Sequence, residues 1–159
     1  MRLSTKSRYG LRALFDIAYH ANQRPVQIQD IARRQDISPR YLEQIFQSLK
    51  RGGILKSKRG PQGGYMLAKP VADINVRDIV KATEGDLLLV DCTAKRGRRK
   101  KPTCNFDGSC ITQTVWSEAA DHIAELFATI SLATLCQRAE AMDLPHEDGL
   151  TGSRGKKGA

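Results

Sequence analysis

Three of the four cysteines, Cys92, Cys104 and Cys110, fall within 19 residues at the spacing C-x11-C-x5-C. Thiolates are soft ligands, and three of them in one loop suit an iron–sulfur cluster or another soft metal. Six Lys and Arg residues stand between the first two cysteines, at positions 95–101. Cations near a thiol lower its pKa, which favours ligation and also oxidation. Three cysteines leave a fourth coordination position to another residue, and Asp91, Asp107 and Glu118 are candidates. Zinc is an alternative, although the C-x2-C knuckles of structural zinc sites are missing. Free, redox-switching thiols are another. The basic run 95–101 reads as a solvated charge run, with contact to DNA or to the cysteine site as its functional alternative.

These cysteines need elements to hold them. Residues 91–110 are polar, and a structureless loop of about 20 residues in a compact domain usually signals function or disorder. A long helix is expected from Ile111, with Val115, Trp116, Ala119, Ile123, Leu126, Phe127 and Ile130 forming one apolar stripe. That stripe exceeds what one small head can cover, so it favours pairing of two such helices across a two-fold axis, with Trp116 in the dimer core. Ser131 is expected to start a short last helix, where Cys136 serves packing. His20 and His122 read as surface or satisfied helix residues. Residues 143–159 are rich in Gly, Lys and acids and read as a disordered tail.

The first half has a different pattern. A helix starts at Ser4 or Thr5 and ends before Gln23-Arg24-Pro25. Ile28, Ile31 and Ala32 mark a short second helix. Ser38-Pro39 is a strong helix start, with Ser as N-cap and Pro at the first turn. Leu42, Ile45, Phe46 and Leu49 follow at i, i+3, i+4, i+7. Two strand-like runs, 54–58 and 65–68, flank Arg59-Gly60-Pro61-Gln62-Gly63-Gly64, which predicts a hairpin with a basic, glycine-rich tip. Asn75 can cap one further short helix. The fold class is therefore mainly α with a small β-hairpin wing: a winged helix-turn-helix head plus a long dimerisation helix.

Charge supports a polyanionic partner for the head. Residues 1–68 hold thirteen Lys and Arg against four Asp and Glu, whereas residues 69–159 hold thirteen of each. The whole net charge of +9 therefore lies in the first half. The helix starting at Ser38 has the width of a major groove. Its N-terminal residues Ser38, Arg40, Tyr41, Glu43 and Gln44 would face base edges. Glutamine pairs with adenine and glutamate accepts from the cytosine amino group, although Glu43 also reads as a solvated surface residue. Arg59 between glycines can enter a narrow minor groove, and Gly60 lets backbone approach closely. An ordinary surface turn is the bland alternative for this tip.

The stretches MRLSTKSRYGLRAL, ISPRYLEQIFQSLKRGGILKSKRGPQGGYMLAK and CITQTVWSEAADHIAELFATISLATL together resemble the Rrf2-type bacterial transcription regulators, a family that includes an iron–sulfur cluster regulator. The resemblance covers about residues 1–136. It implies a homodimer on palindromic promoter double-stranded DNA. It implies base reading by Tyr41, Glu43 and Gln44, with Arg59 in the minor groove. It implies an iron–sulfur cluster, [2Fe–2S] or [4Fe–4S], on Cys92, Cys104 and Cys110. This chain departs from the family pattern in its longer first cysteine interval, in Gln113 where a histidine ligand is expected, and in Arg8 where some relatives place an acid.

The expected organisation is a winged-helix domain at 1–84, a cysteine-bearing sensor loop at 85–110, the long helix and short helix at 111–142, and the tail at 143–159. The expected function is a DNA-binding regulator, a repressor, whose operator affinity responds to the cluster. The alternative is a cluster-free repressor of the same family, controlled by a partner protein or a thiol switch. No Ser/His/Asp set, paired carboxylates or phosphate loop is visible, which argues against an enzyme. Exposed aromatics for RNA stacking are missing. With no apolar leader segment and no run approaching the roughly 18 residues of a membrane span, a cytoplasmic location is expected and membrane association is not.

Overall fold

The computed structural model describes residues 3–21, 23–94, 104–106 and 109–146. Among these residues six α-helices and one hairpin follow in order: α1 (Thr5–His20), α2 (Ile28–Gln35), α3 (Pro39–Arg51), β1 (Leu55–Lys58), β2 (Gly64–Leu67), α4 (Val76–Glu84), α5 (Thr112–Thr129) and α6 (Leu132–Ala141). The helix starts are set by side-chain caps. Ser4, Ser38, Asn75 and Ser131 each accept a hydrogen bond from a backbone N–H of the first turn, offsetting donors that the helix leaves unpaired. Helix α2 stops where Asp36 turns left-handed at φ 51°. The helix-turn-helix is therefore closed by one residue, with Ile37 buried in the turn.

The core lies among α1, α2, α3 and α4. Leu14, Ile31, Leu42, Ile45, Phe46, Leu49 and Ile79 are fully buried there. The i, i+3, i+4, i+7 set of α3 thus points inward, and truncating Phe46 to alanine would cost about 3–5 kcal/mol. The hairpin is antiparallel, with Leu55 opposite Leu67 and Lys58 opposite Gly64. An isolated bridge pairs Val26 with Tyr65 and stitches the wing to the chain entering α2. This bridge explains Gly64: its φ is +151°, and a Cβ there would sit 2.5 Å from the Val26 carbonyl oxygen.

Helix α5 is an 18-residue helix packed on α4. After it the chain turns back. A backbone bridge joins Ser131 to Asn75, and α6 packs on α1, with Leu132 completing the head's core. Helix α6 follows the long helix in the chain but packs against the head. The expected tail also shortens at its start. Tyr19 donates to the Leu144 carbonyl at 2.8 Å and stacks on His146 at 3.8 Å. Residues 147–159 lie outside the described residues.

Candidate nucleic-acid interface and cysteine loop

Helix α3 presents a polar outer face. Ser38, Arg40, Glu43, Gln44 and Gln47 are exposed, opposite the buried Leu42, Ile45 and Phe46. Tyr41 is half-buried, and its ring meets Tyr9 of α1 edge-on at 6.0 Å. Arg59 and Gly60 are exposed at the wing tip, and Gly60 has φ +110°. The tip is braced from two sides. Gln27, just ahead of α2, donates to the Gly63 carbonyl at 2.8 Å. Lys50, in the last turn of α3, donates to Ser57 of β1 at 2.9 Å.

A polar network that the sequence reading missed locks α1 to α2. Asp16 is fully buried, and its carboxylate accepts three hydrogen bonds from Arg34 at 2.6, 2.9 and 3.2 Å. Gln35 adds a fourth at 2.9 Å. Arg12 then donates from Nε to Gln35 Oε1 at 3.2 Å and from Nη2 to the Gln35 carbonyl. The available signal was Asp16 itself, an acid inside the apolar half of α1. A buried carboxylate must be paired.

One of the three loop cysteines sits in a defined element and a second lies just ahead of one. Cys92 is half-buried in a 3-10 turn, Asp91–Thr93. Cys110 is half-buried one residue before the N-cap of α5, and Cys104 is exposed. The Thr112 hydroxyl lies 3.0 Å from Cys110 Sγ. This hydrogen bond, with one from the Gln113 backbone, outweighs desolvation and holds the Cys110 thiol below its ordinary pKa. The Gln113 side-chain amide donates to the Cys92 carbonyl. Gln113 thereby joins the turn that carries Cys92 to the first turn of α5. Among the described residues no three His, Cys, Asp or Glu side chains are grouped as a metal site. Asp91 and Glu118 are exposed, and Asp107 and the basic run up to position 101 lie outside the described residues. Cys136 is half-buried on α6, where burial and then Glu140 push its thiol up.

Helix-turn-helix, braced wing and returning α6 match known proteins. The sequence model of the Rrf2 family, described as iron-dependent transcriptional regulators, matches residues 3–138. The chain belongs to the Rrf2 family. It is 38% identical over 144 residues to the HTH-type transcriptional regulator IscR of Photorhabdus laumondii, covering 91% of this chain and 84% of that one. Among solved structures it resembles T. potens IscR with a TM-score of 0.70 at 35% identity, covering 92% of this chain and 94% of that one. It also resembles CymR, the global cysteine regulator of B. subtilis, with a TM-score of 0.67 at 28% identity, covering 87% and 98%. The winged-helix fold expected from the sequence is borne out. This Rrf2-family chain is a DNA-binding transcription regulator and not an enzyme. None of its described helices is long and apolar enough to cross a membrane.

Proposed function

We propose that this Rrf2-family chain is a cytoplasmic, homodimeric repressor that binds palindromic promoter DNA, with an operator affinity set by an iron–sulfur cluster on Cys92, Cys104 and Cys110. The observation that carries the reading is the Gln113 strut. It ties the Cys92 turn to the helix that starts beside Cys110, so two of the thiols share one mechanical unit with α5. The donor set fits such a cluster: three soft thiols, one already shifted toward thiolate by Thr112. The family description as iron-dependent regulators agrees. The Gln113 side-chain nitrogen is engaged with the Cys92 carbonyl.

When bound, the cluster supplies sensitivity to iron supply and to oxidants. The chain's own residues do the rest. Glu43 and Gln44 read base edges from the outer face of α3, with Ser38, Arg40 and Tyr41 at its N-terminal end. Arg59 and Gly60 enter the minor groove. Ile111 at the N-cap of α5 and Val115, Trp116 and Leu126 on the helix stay 45–80% exposed, an apolar row that a second copy would cover. A shift in the spacing of Cys92 and Cys110 is felt by the first turn of α5 through Gln113. Helix α5 packs on α4, and α4 packs on α1 and α3. The cysteine loop therefore connects to the DNA-reading helix through two packed layers.

The test is the absorption spectrum of anaerobically purified protein, with iron and sulfide analysis and operator binding of the Cys→Ser variants at 92, 104 and 110. Brown protein with stoichiometric iron and sulfide, and altered operator affinity in the variants, is expected. Colourless protein from iron-replete cells would sink the cluster reading. A second reading, a cluster-free thiol switch or control by a partner protein, is favoured by the lowered Cys110 thiol and the likeness to CymR. It is supported if colourless protein loses operator affinity with peroxide and regains it with a dithiol.

A further inference from the structure

Helix α1 carries two exposed arginines one turn apart, Arg8 and Arg12, both near the Tyr9 ring. Their guanidinium carbons lie 5.9 and 5.4 Å from its centroid. Tyr9 in turn meets Tyr41, in the first turn of the recognition helix α3. Arg12 is also held at the end of α2, where the helix-turn-helix turn begins, by its two donations to Gln35. Gln35 is itself fixed to the buried Asp16, which Arg34 neutralises. Neither Arg8 nor Arg12 has a carboxylate within 4.0 Å among the described residues. The Nη1 edge of Arg12 carries no hydrogen bond there.

An arginine on a surface helix is ordinarily a solvated, mobile charge. Arg12 differs because a buried carboxylate sets its position through Gln35, and an aromatic face supports its plane. A guanidinium held in this way loses less side-chain entropy when it meets an anion. Arg12 is held at the end of α2, the first helix of the helix-turn-helix, and in this motif the first helix crosses the duplex backbone.

We infer that Arg8 and Arg12 form a preorganised clamp for DNA phosphates beside the recognition helix, and that Gln35 is a positioning residue for Arg12. The clamp rests on the DNA-binding activity of the family and not on the cluster reading. It sets affinity and register and leaves base preference to α3 and the wing.

The probe is the tightest-binding duplex selected from a random-sequence library, titrated at several salt concentrations. Each phosphate contact contributes a slope of about −0.9 in log K against log salt. R8A and R12A should each flatten the slope by about 0.9 per bound protomer. A defect at 50 mM salt should then shrink about 3.5-fold at 200 mM for each protomer bound. Selection repeated with each variant should return the same consensus. Q35A should weaken binding in the parent and have no further effect in the R12A background. R12K keeps the charge without the fork, so it should retain the slope and bind more weakly. Melting temperature and far-ultraviolet circular dichroism check that each variant is folded. Folded R8A and R12A with the parental slope would overturn the clamp, as would a changed consensus. If R12A does not fold, R8A and R12K decide. Equal loss from Q35A in both backgrounds would remove Gln35 from the assignment.

Discussion

Removing the guanidinium of Arg34 while keeping Asp16 tests the network that sets the angle between α1 and α2. Asp16 is 0% exposed and the Arg34 side chain 6%. Four hydrogen bonds reach the carboxylate, three from Arg34 and one from Gln35. Arg34→Ala leaves a buried carboxylate with one neutral donor. Breaking a buried pair from one side costs about 3–5 kcal/mol, because the remaining charge has lost its compensation. In a chain of this size 1 kcal/mol lowers the melting temperature by roughly 2–4 °C, so a fall of about 6–20 °C is expected. Replacing both partners with apolar residues, Asp16→Leu with Arg34→Met, removes the stranded charge and should recover most of the loss. Urea denaturation of parent, both single variants and the double variant gives the coupling energy directly. A loss below about 1 kcal/mol in Arg34→Ala, the range of an exposed pair, would refute the reasoning.

Gly64→Ala should detach the wing from Val26, since its Cβ has only 2.5 Å to the Val26 carbonyl oxygen; weakened duplex binding with α-helical content retained is the expected result, and parental binding would count against the bracing of the wing. The Glu84 carboxyl is pushed up by burial, but hydrogen bonds from Ser7 and Ser4 outweigh this and leave it below the ordinary value. A depressed folded-state pKa adds stability above the unfolded-state pKa and loses it as pH falls through the folded value. Ser4→Ala, which also removes a cap worth about 1 kcal/mol, should therefore cost more at neutral pH than in acid; a constant cost would show that the Glu84 link contributes nothing. Cys136, half-buried and with a raised thiol pKa, should alkylate after the exposed Cys104 at neutral pH, and mass spectrometry of partially labelled protein reads the order.

Much of this protein is local chemistry, and local chemistry is legible in a sequence. Ser38-Pro39 and the apolar spacing through Leu49 define α3 because capping and helical periodicity act within a few residues. The glycine-rich run after Arg59 marks the wing for the same reason. The charge excess needed only counting to locate, and three closely spaced cysteines identify themselves. Contacts between residues distant in sequence could not be read that way. Gln113 gives no hint that its amide would meet the Cys92 carbonyl. Asp16, Arg34, Gln35 and Arg12 become one network only once α1 and α2 are packed, because a buried carboxylate draws its partners from whatever surrounds it. Ser131 marks the start of a short last helix in the sequence, but only the Ser131–Asn75 bridge and the packing on α1 show that its Leu132 belongs to the head's core. The sequence by itself determined which segments are helices, where they start and which half carries the positive charge. Tertiary structure decided which polar groups meet, because burial forces a pairing that spacing along the chain does not encode.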